Sequence, residues 1–467
     1  MDHDEFRKLG YQIIDWIADY MEKGYDGPVS PTMAPGDLLS RLPKTPPAAG
    51  EPGQNVLDDF ESLILPGVTH WNDPRFFGYF PANHSGPGIL GDLLSAGLGV
   101  NAMSWATSPA ATELEIRMMQ WLGHMIGLNW PGCIQDTAST GTLCAMVSAR
   151  EWKSNINHNG YYKVRPLVVY TSEHANTVVQ KAVWISGIGE DYFRQIPSGP
   201  DFAMDAAALE AAIKNDLAQG LQPCMVVATV GTTSSTAIDP VPTIADLCER
   251  YGLWLHIDAA MAGSAAILPE MRYIMDGVDR AHSFVFNPHK WLFTNFDCSA
   301  YFCREPHYLK RALSVQPEFL KTEQDGAAEN FRDWGIQLGR RFRALKLWFV
   351  IRSYGVAGLQ KKLRLHLEMT RWFGHRIGQH PDFVLCAEPQ LNTVCFKTTN
   401  DEDTEHLIKA VNASGEAFLT HTKLAGAYVV RVSFGQTHSR MAHAEDLWRL
   451  IEREWNQMIK TRTAEPA

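Results

Sequence analysis

The chain has 467 residues, with 42 lysines and arginines against 52 aspartates and glutamates and a net charge of −10 when histidine is neutral. That length exceeds one ordinary domain and predicts two or three subdomains with sizeable cores. An acidic balance of this size argues against nucleic acid or an anionic membrane as a partner.

Residues 4–24 carry apolar side chains at helical spacing (Phe6, Ile13, Ile14, Ile17, Tyr20, Met21) and predict an opening amphipathic helix. The proline- and glycine-rich stretch 28–52 predicts an extended connector lying on another surface. From about 85 to 340, helical stretches alternate with short β-branched runs at 167–170, 225–230, 253–257 and 283–286. That alternation predicts an α/β layer with a mostly parallel sheet. A helix over 341–354, strand-like pieces at 392–397 and 428–434 and a closing helix predict a smaller C-terminal domain. The eight cysteines lack CxxC spacing and most lie in apolar runs, as Cys144 and Cys224 do. Buried free thiols in a reducing compartment account for them better than disulfides or zinc, so no metal is expected. MDHDEFRKLG has no apolar signal core and no membrane-length apolar run follows, so the expected location is cytoplasmic.

The chemistry concentrates at Asn287-Pro288-His289-Lys290-Trp291, directly after the run Ser283-Phe284-Val285-Phe286. An amine at the end of an apolar strand is partly desolvated, which lowers its pKa and suits it to condense with an aldehyde such as that of pyridoxal phosphate. Upstream, Leu253-Trp254-Leu255-His256-Ile257-Asp258 delivers a carboxylate to another strand end. A carboxylate so placed keeps the pyridine nitrogen of that cofactor protonated, and the ring then accepts electrons. Asp136-Thr137-Ala138-Ser139-Thr140-Gly141-Thr142, before a helical run, offers a phosphate site at a helix N-terminus, although such residues are also ordinary caps.

These segments, with HIDAAMAGSA (256–265), NPHKW (287–291), NFDCSA (295–300), LGRRFRALKLW (338–348) and HWNDPRFFGYFPAN (70–83), resemble the group II pyridoxal-phosphate-dependent amino-acid decarboxylases, most closely the aromatic L-amino-acid decarboxylases. The resemblance implies fold type I, with an N-terminal dimer-wrapping segment (1–84), a large cofactor-binding domain (85–340) and a small α+β domain (341–467). It implies a homodimer in which the loop bearing Phe319 reaches the neighbouring site. It places Ala138, Ser139, Thr233, Asn287 and His289 with Lys290 and Asp258 around the cofactor, and Trp71, Tyr79 and Phe80 around an aromatic side chain. Ala82 stands where the family often has a polar residue, and Arg431 either neutralises a substrate carboxylate or closes an ion pair. Tyr308 reads as a helix packing residue.

Two departures bear on the reaction. Where the family pattern has a histidine stacked on the cofactor, the row Ser172-Glu173-His174-Ala175-Asn176 places Asn176, with His174 two residues away. Where the mobile loop has its catalytic tyrosine, Gln316-Pro317-Glu318-Phe319-Leu320 places Phe319. An ordinary decarboxylase quenches the charge left at Cα with a proton, yet asparagine and phenylalanine have no acidic proton to give. The unquenched charge is open to dioxygen, and aromatic aldehyde synthases of this family resemble the chain at these positions. The preferred expectation is therefore an aromatic acetaldehyde synthase releasing CO2, NH3 and H2O2, with dioxygen as co-substrate. Simple decarboxylation to the amine is the alternative, and a cofactor-binding pseudoenzyme is a remote third. Which aromatic amino acid is preferred stays open, because rings of similar size are separated by a few contacts.

Overall fold

The computed structural model describes the chain apart from Thr322, Gln324, Asp325 and residues 465–467, and apart from the side chains of Phe319 and residues 462–464. Its central sheet has seven strands: β1 (Gly132–Gln135), β2 (Leu167–Ser172), β3 (Phe193–Ile196), β4 (Gln222–Thr229), β5 (Trp254–Asp258), β6 (Ser283–Phe286) and β7 (Ser299–Cys303). They lie in the order β1-β7-β6-β5-β4-β2-β3. Strands β2 to β6 run parallel, while β7 is antiparallel to both β6 and β1. The expected mostly parallel α/β fold is the observed one. Helices cover both faces, so β2, β5 and β6 are buried along their whole length and read as apolar runs without alternation. β1 (GCIQ) and β3 (FRQI) escaped the sequence reading because they are short and mixed in composition.

The opening helix spans His3–Lys23, where the Asp2 carboxylate accepts the amides of Asp4 and Glu5, and it ends at Gly24 in a positive-φ conformation (φ 73°). The connector 28–52 is extended as expected except for one short helix, Asp37–Arg41, which Gly36 (φ 96°) opens and no proline interrupts. Val29 anchors the connector: it is fully buried, its amide bonds to Gly415 and its carbonyl to His70.

A long helix, Arg343–Gln379, is broken at Gly355 (φ 63°), one residue past the predicted end. Ala344, Leu347 and Val350 pack into the core of the large sheet, and Met369, Phe373 and Ile377 into that of a second, smaller one. That second sheet is antiparallel, in the order β10-β11-β9-β8, with β8 (Val384–Leu385), β9 (Thr393–Lys397), β10 (Thr420–Leu424) and β11 (Ala427–Ser433). The helices Asp401–Ala413 and Met441–Ala464 pack against it. All eight cysteines are unpaired and seven are buried. Among the described residues no helix is long and apolar enough to cross a membrane.

One buried ion pair ties the layers together. Arg340 donates to both oxygens of Glu115 (2.7 and 3.0 Å) and to the carbonyls of Ala102 and Ile134, while Glu115 also accepts the Ile134 amide. Arg340→Met strands that carboxylate in the core. The expected loss is about 3–5 kcal/mol in denaturant unfolding, because a buried charge without its partner keeps its desolvation penalty.

Three enclosed histidines make stability depend on acid. Burial lowers His256, His289 and His366 from 6.5 to about 3. The unfolded chain takes up these protons below 6.5 whereas the folded one does not until near 3, so stability is present above 6.5 and lost as pH falls across that interval. One pH unit into the interval, each site costs about 1.4 kcal/mol. The melting temperature should drop between pH about 7.5 and about 5.5, and an unchanged value would contradict the assignment.

Candidate active site

The parallel strands deliver their carboxyl ends to one edge of the sheet, where ligands of open α/β sheets bind. Thr229 ends β4, Asp258 ends β5, and Asn287 follows β6 and leads into a short helix, Pro288–Trp291, that carries Lys290. Between these ends lies a cavity of about 180 Å³. Phe80, Ala138, Ser139, Asn176, Thr233, Asp258, Asn287, His289 and Lys290 all line it.

Lys290 and Asp258 perturb one another. Burial lowers the pKa of the Lys290 amine, with Asp258 opposing that shift and Arg431 reinforcing it. Burial also raises the Asp258 carboxyl, against the pull of Lys290 and the Ala260 amide, which donates to Oδ1 at 3.0 Å. A buried carboxylate so poorly compensated fits a cationic ring N–H. The Lys290 backbone is held by Asn83, whose Nδ2 donates to the Lys290 carbonyl (2.6 Å) and whose amide donates to the His289 carbonyl (2.8 Å). Beside it, the Trp291 indole donates to His366 Nδ1 at 2.9 Å.

His289 Nδ1 accepts the Cys298 amide (2.9 Å), which leaves the ring proton on Nε2. With its pKa lowered to about 3 by burial and by Lys290, the imidazole is neutral near pH 7 and offers one N–H. Asn287 Oδ1 accepts the Ser299 hydroxyl at 2.6 Å. On the opposite wall the Ala138–Ser154 helix begins, and its N-cap Thr137 makes no side-chain cap bond. The first-turn amides beside Ala138 and Ser139 therefore face the cavity as anion donors. The Thr229 hydroxyl, buried without a hydrogen-bond partner, adds an unused polar group. Carboxylate, amine and anion-binding helix end together fit pyridoxal phosphate.

Asn176, not His174, reaches the cavity. Its Oδ1 accepts the Val178 amide (3.1 Å) and its Nδ2 donates to Thr233 Oγ1 (3.3 Å). His174 instead turns its ring against the edge of Phe202, 5.5 Å between centroids. Phe319 lies in the one-turn segment Glu318–Leu320, and its side chain is outside the described atoms.

The aromatic segment divides. Phe80 lines the cavity, whereas Trp71 and Tyr79 stack on each other at 5.2 Å, both part-exposed, and with Ala82 are not among the lining residues. Tyr308 packs edge-on against Trp254, in keeping with a packing role. Arg431 on β11 corrects one of the two sequence alternatives, since among the described residues it closes no ion pair. Its Nε donates to the Thr233 carbonyl (2.8 Å) and its Nη1 to the Tyr79 carbonyl (2.7 Å), while Nη2 is buried without a partner. The guanidinium carbon sits 4.5 Å from the Phe80 ring centre, and burial lowers the group to about 10.

The sequence reading missed Val178, Thr229, Gly231, Ala260, Met261 and Phe296 in the lining. Thr229 and Ala260 adjoin strand ends and were legible by position. Phe296, 58% exposed and 4.6 Å from the His289 ring, stood in the NFDCSA match with no role assigned to it, because only folding sets it at the cavity.

Residues 35–399 match the model of the pyridoxal-dependent decarboxylase conserved domain. The chain belongs to that family. Within it the chain is 40% identical to tyrosine decarboxylase 4 of Petroselinum crispum, over 97% of this chain and 93% of that protein. It is likewise 40% identical to the phenylacetaldehyde synthase of Arabidopsis thaliana, over 98% and 97%. The crystal structure of Oryza sativa TDC with PLP and tryptamine superposes with a TM-score of 0.95 at 34% identity, covering 98% of this chain and 99% of that one. The decarboxylase fold is thus fold type I, the chain falls in the aromatic branch, and its cofactor is pyridoxal 5′-phosphate.

Proposed function

We propose that this enzyme converts aromatic L-amino acids, with one dioxygen and one water, into the aromatic acetaldehyde, CO2, NH3 and H2O2. The observation that carries the reading is Asn176 at the cavity wall, combined with Phe319 in the loop sequence. Bound pyridoxal phosphate supplies the electron sink for the charge left at Cα when the substrate carboxylate departs. Lys290 is the nucleophile that holds the cofactor and yields it to the substrate amine. Asp258 keeps the ring nitrogen protonated, and the helix start at Ala138 and Ser139 binds the phosphate. Asn287, His289 and Thr233 hold the ring's surroundings in place, and Arg431, stacked on the cavity-lining Phe80 with its Nη2 unpartnered, is the group assigned to the substrate carboxylate.

The fate of the charge at Cα depends on proton donors. Asn176 has none, and its amide is already committed to Thr233 and Val178. His289 is a neutral imidazole near pH 7 and therefore no acid. Lys290, its pKa held low, is biased toward the neutral amine. With the cavity wall this poor in acids, oxidation by dioxygen competes with protonation. Similarity alone does not choose between products, since both a decarboxylase and an aldehyde synthase stand at 40% identity. Plain decarboxylation to the amine is the second reading, favoured if the low-pKa Lys290 delivers the proton.

We further propose a cytoplasmic homodimer. The helix Gly86–Leu98 leaves Leu90, Leu93, Leu94 and Leu98 exposed along one side, and Phe6 and Tyr11 of the first helix are exposed as well. Leucines spaced along one helix face are the pattern of a contact surface. Unpaired cysteines suit a reducing compartment.

The test is a closed-vessel assay with each aromatic amino acid, following dioxygen and H2O2 while chromatography separates amine from aldehyde. Aldehyde with about one dioxygen per turnover is expected from the stoichiometry. Amine without dioxygen uptake would establish the second reading.

A further inference from the structure

A second cavity, of about 450 Å³, opens between the turn 199–203, the loop 231–237 and the segment after β8, away from the cofactor site. Its volume lies within the usual range of small-molecule sites, roughly 300–1,000 Å³. Asp201 and Glu388 stand on its wall, and no lysine, arginine or histidine lines it. Phe202 and Leu385 provide apolar surface, and Ser235 and Cys386 also line the cavity. Each of two lining segments brings one carboxylate and one apolar side chain, Asp201 with Phe202 and Glu388 with Leu385, and together they complement a molecule that carries a cation on an apolar body.

One element of the catalytic cavity forms a wall of this one too. The loop 231–237 turns Thr233 toward the cofactor site and Ser235 toward the second cavity. Positive φ at Gly231 (85°) and Thr236 (62°) shapes it, and the Thr232 and Ser235 hydroxyls bond across it at 3.1 Å. The Ser234 carbonyl and hydroxyl hold it to Cys395 and Thr422 of the small sheet. On the other side Phe202, itself at φ 64°, presses its ring against His174, two residues before Asn176. A ligand that displaces Phe202 or Ser235 therefore moves the neighbours of Asn176 and Thr233, which are hydrogen-bonded to each other.

We propose that this cavity is a second ligand site, for an amphipathic amine cation of arylethylamine size, coupled to the cofactor cavity through the Thr233 loop and through the Phe202–His174 contact. The inference stands apart from the proposed reaction, because it needs no particular product. The ammonium pairs with Asp201 and Glu388 while the ring lies against Phe202 and Leu385.

Cys386 is a built-in reporter, since it is the one cysteine of eight that is not buried. The probe is N,N-dimethyl-2-phenylethylamine, a tertiary amine that cannot condense with the cofactor aldehyde, added to the holoenzyme without substrate. It is expected to slow the reaction of Cys386 with an aromatic disulfide reagent in a saturable way and to shift the visible absorption of the bound cofactor. Glu388→Gln should weaken that protection by about tenfold, as the loss of one partner of an ion pair does. Ala387→Trp, which fills the cavity from its rim, should abolish it. Both variants should retain full cofactor content and basal turnover. Equal Cys386 rates with and without amine would overturn the site, as would protection that survives in both variants. Protection without any change in cofactor absorption would overturn the coupling.

Discussion

Lys290→Ala is expected to eliminate turnover, by at least about 10⁴-fold, on the scale seen when a covalent nucleophile is removed. The protein should still fold, because the Asn83 bonds go to the backbone carbonyls of His289 and Lys290 rather than to the amine. Borohydride should no longer fix the cofactor to the chain, and added cofactor should remain removable by dialysis. Lys290→Arg should fail equally, since a guanidinium keeps the charge but is not a nucleophile at neutral pH. The lowered pKa of the Lys290 amine is what makes the residue reactive, and its source is burial, reinforced by Arg431 and opposed by Asp258. Turnover within tenfold of the parent would remove Lys290 from the role proposed for it.

The double change Asn176→His, Phe319→Tyr is expected to redirect the product from aldehyde to amine. It returns an imidazole and a phenol to the two positions from which Cα is quenched in the decarboxylase pattern. Dioxygen uptake per CO2 should fall from about one by tenfold or more, because one positioned proton donor commonly contributes on the order of 10²-fold or more. Asn176→His alone should act less, since the asparagine also caps the Val178 amide and ties Thr233 in place, and the imidazole must replace those bonds. If the parent enzyme already forms amine without dioxygen, the double change should alter the rate and not the product. The oxidative reading would then fall, with Lys290 the remaining acid at the cavity.

Much of the site was legible because the chemistry sits at strand ends. Asp258, Asn287 and Lys290 each follow a short apolar run, and a buried parallel strand has to be such a run whatever surrounds it. The helix start at Ala138 and Ser139, proposed to bind the phosphate, was legible for a similar reason, as a local feature. Arg431 was not, because both of its alternatives obeyed the sequence equally. The outcome rested on which carbonyls came within reach, and these belong to Thr233 and Tyr79, nearly 200 and just over 350 residues away along the chain.

The sequence by itself determined the family, the cofactor, the parallel sheet and the residues with chemical capacity, since these depend on composition and order within a few neighbouring residues. Tertiary structure alone decided that Phe80 lines the cavity while Trp71 and Tyr79 stack beyond it, and that Arg431 keeps an unspent N–H. It also decided that one loop serves two cavities. The physical reason is common to all three. Orientation and burial are set by partners remote along the chain, 57 residues away for Asn176 and 198 and 352 for Arg431, and the side chain records only what it is able to do once it has been placed.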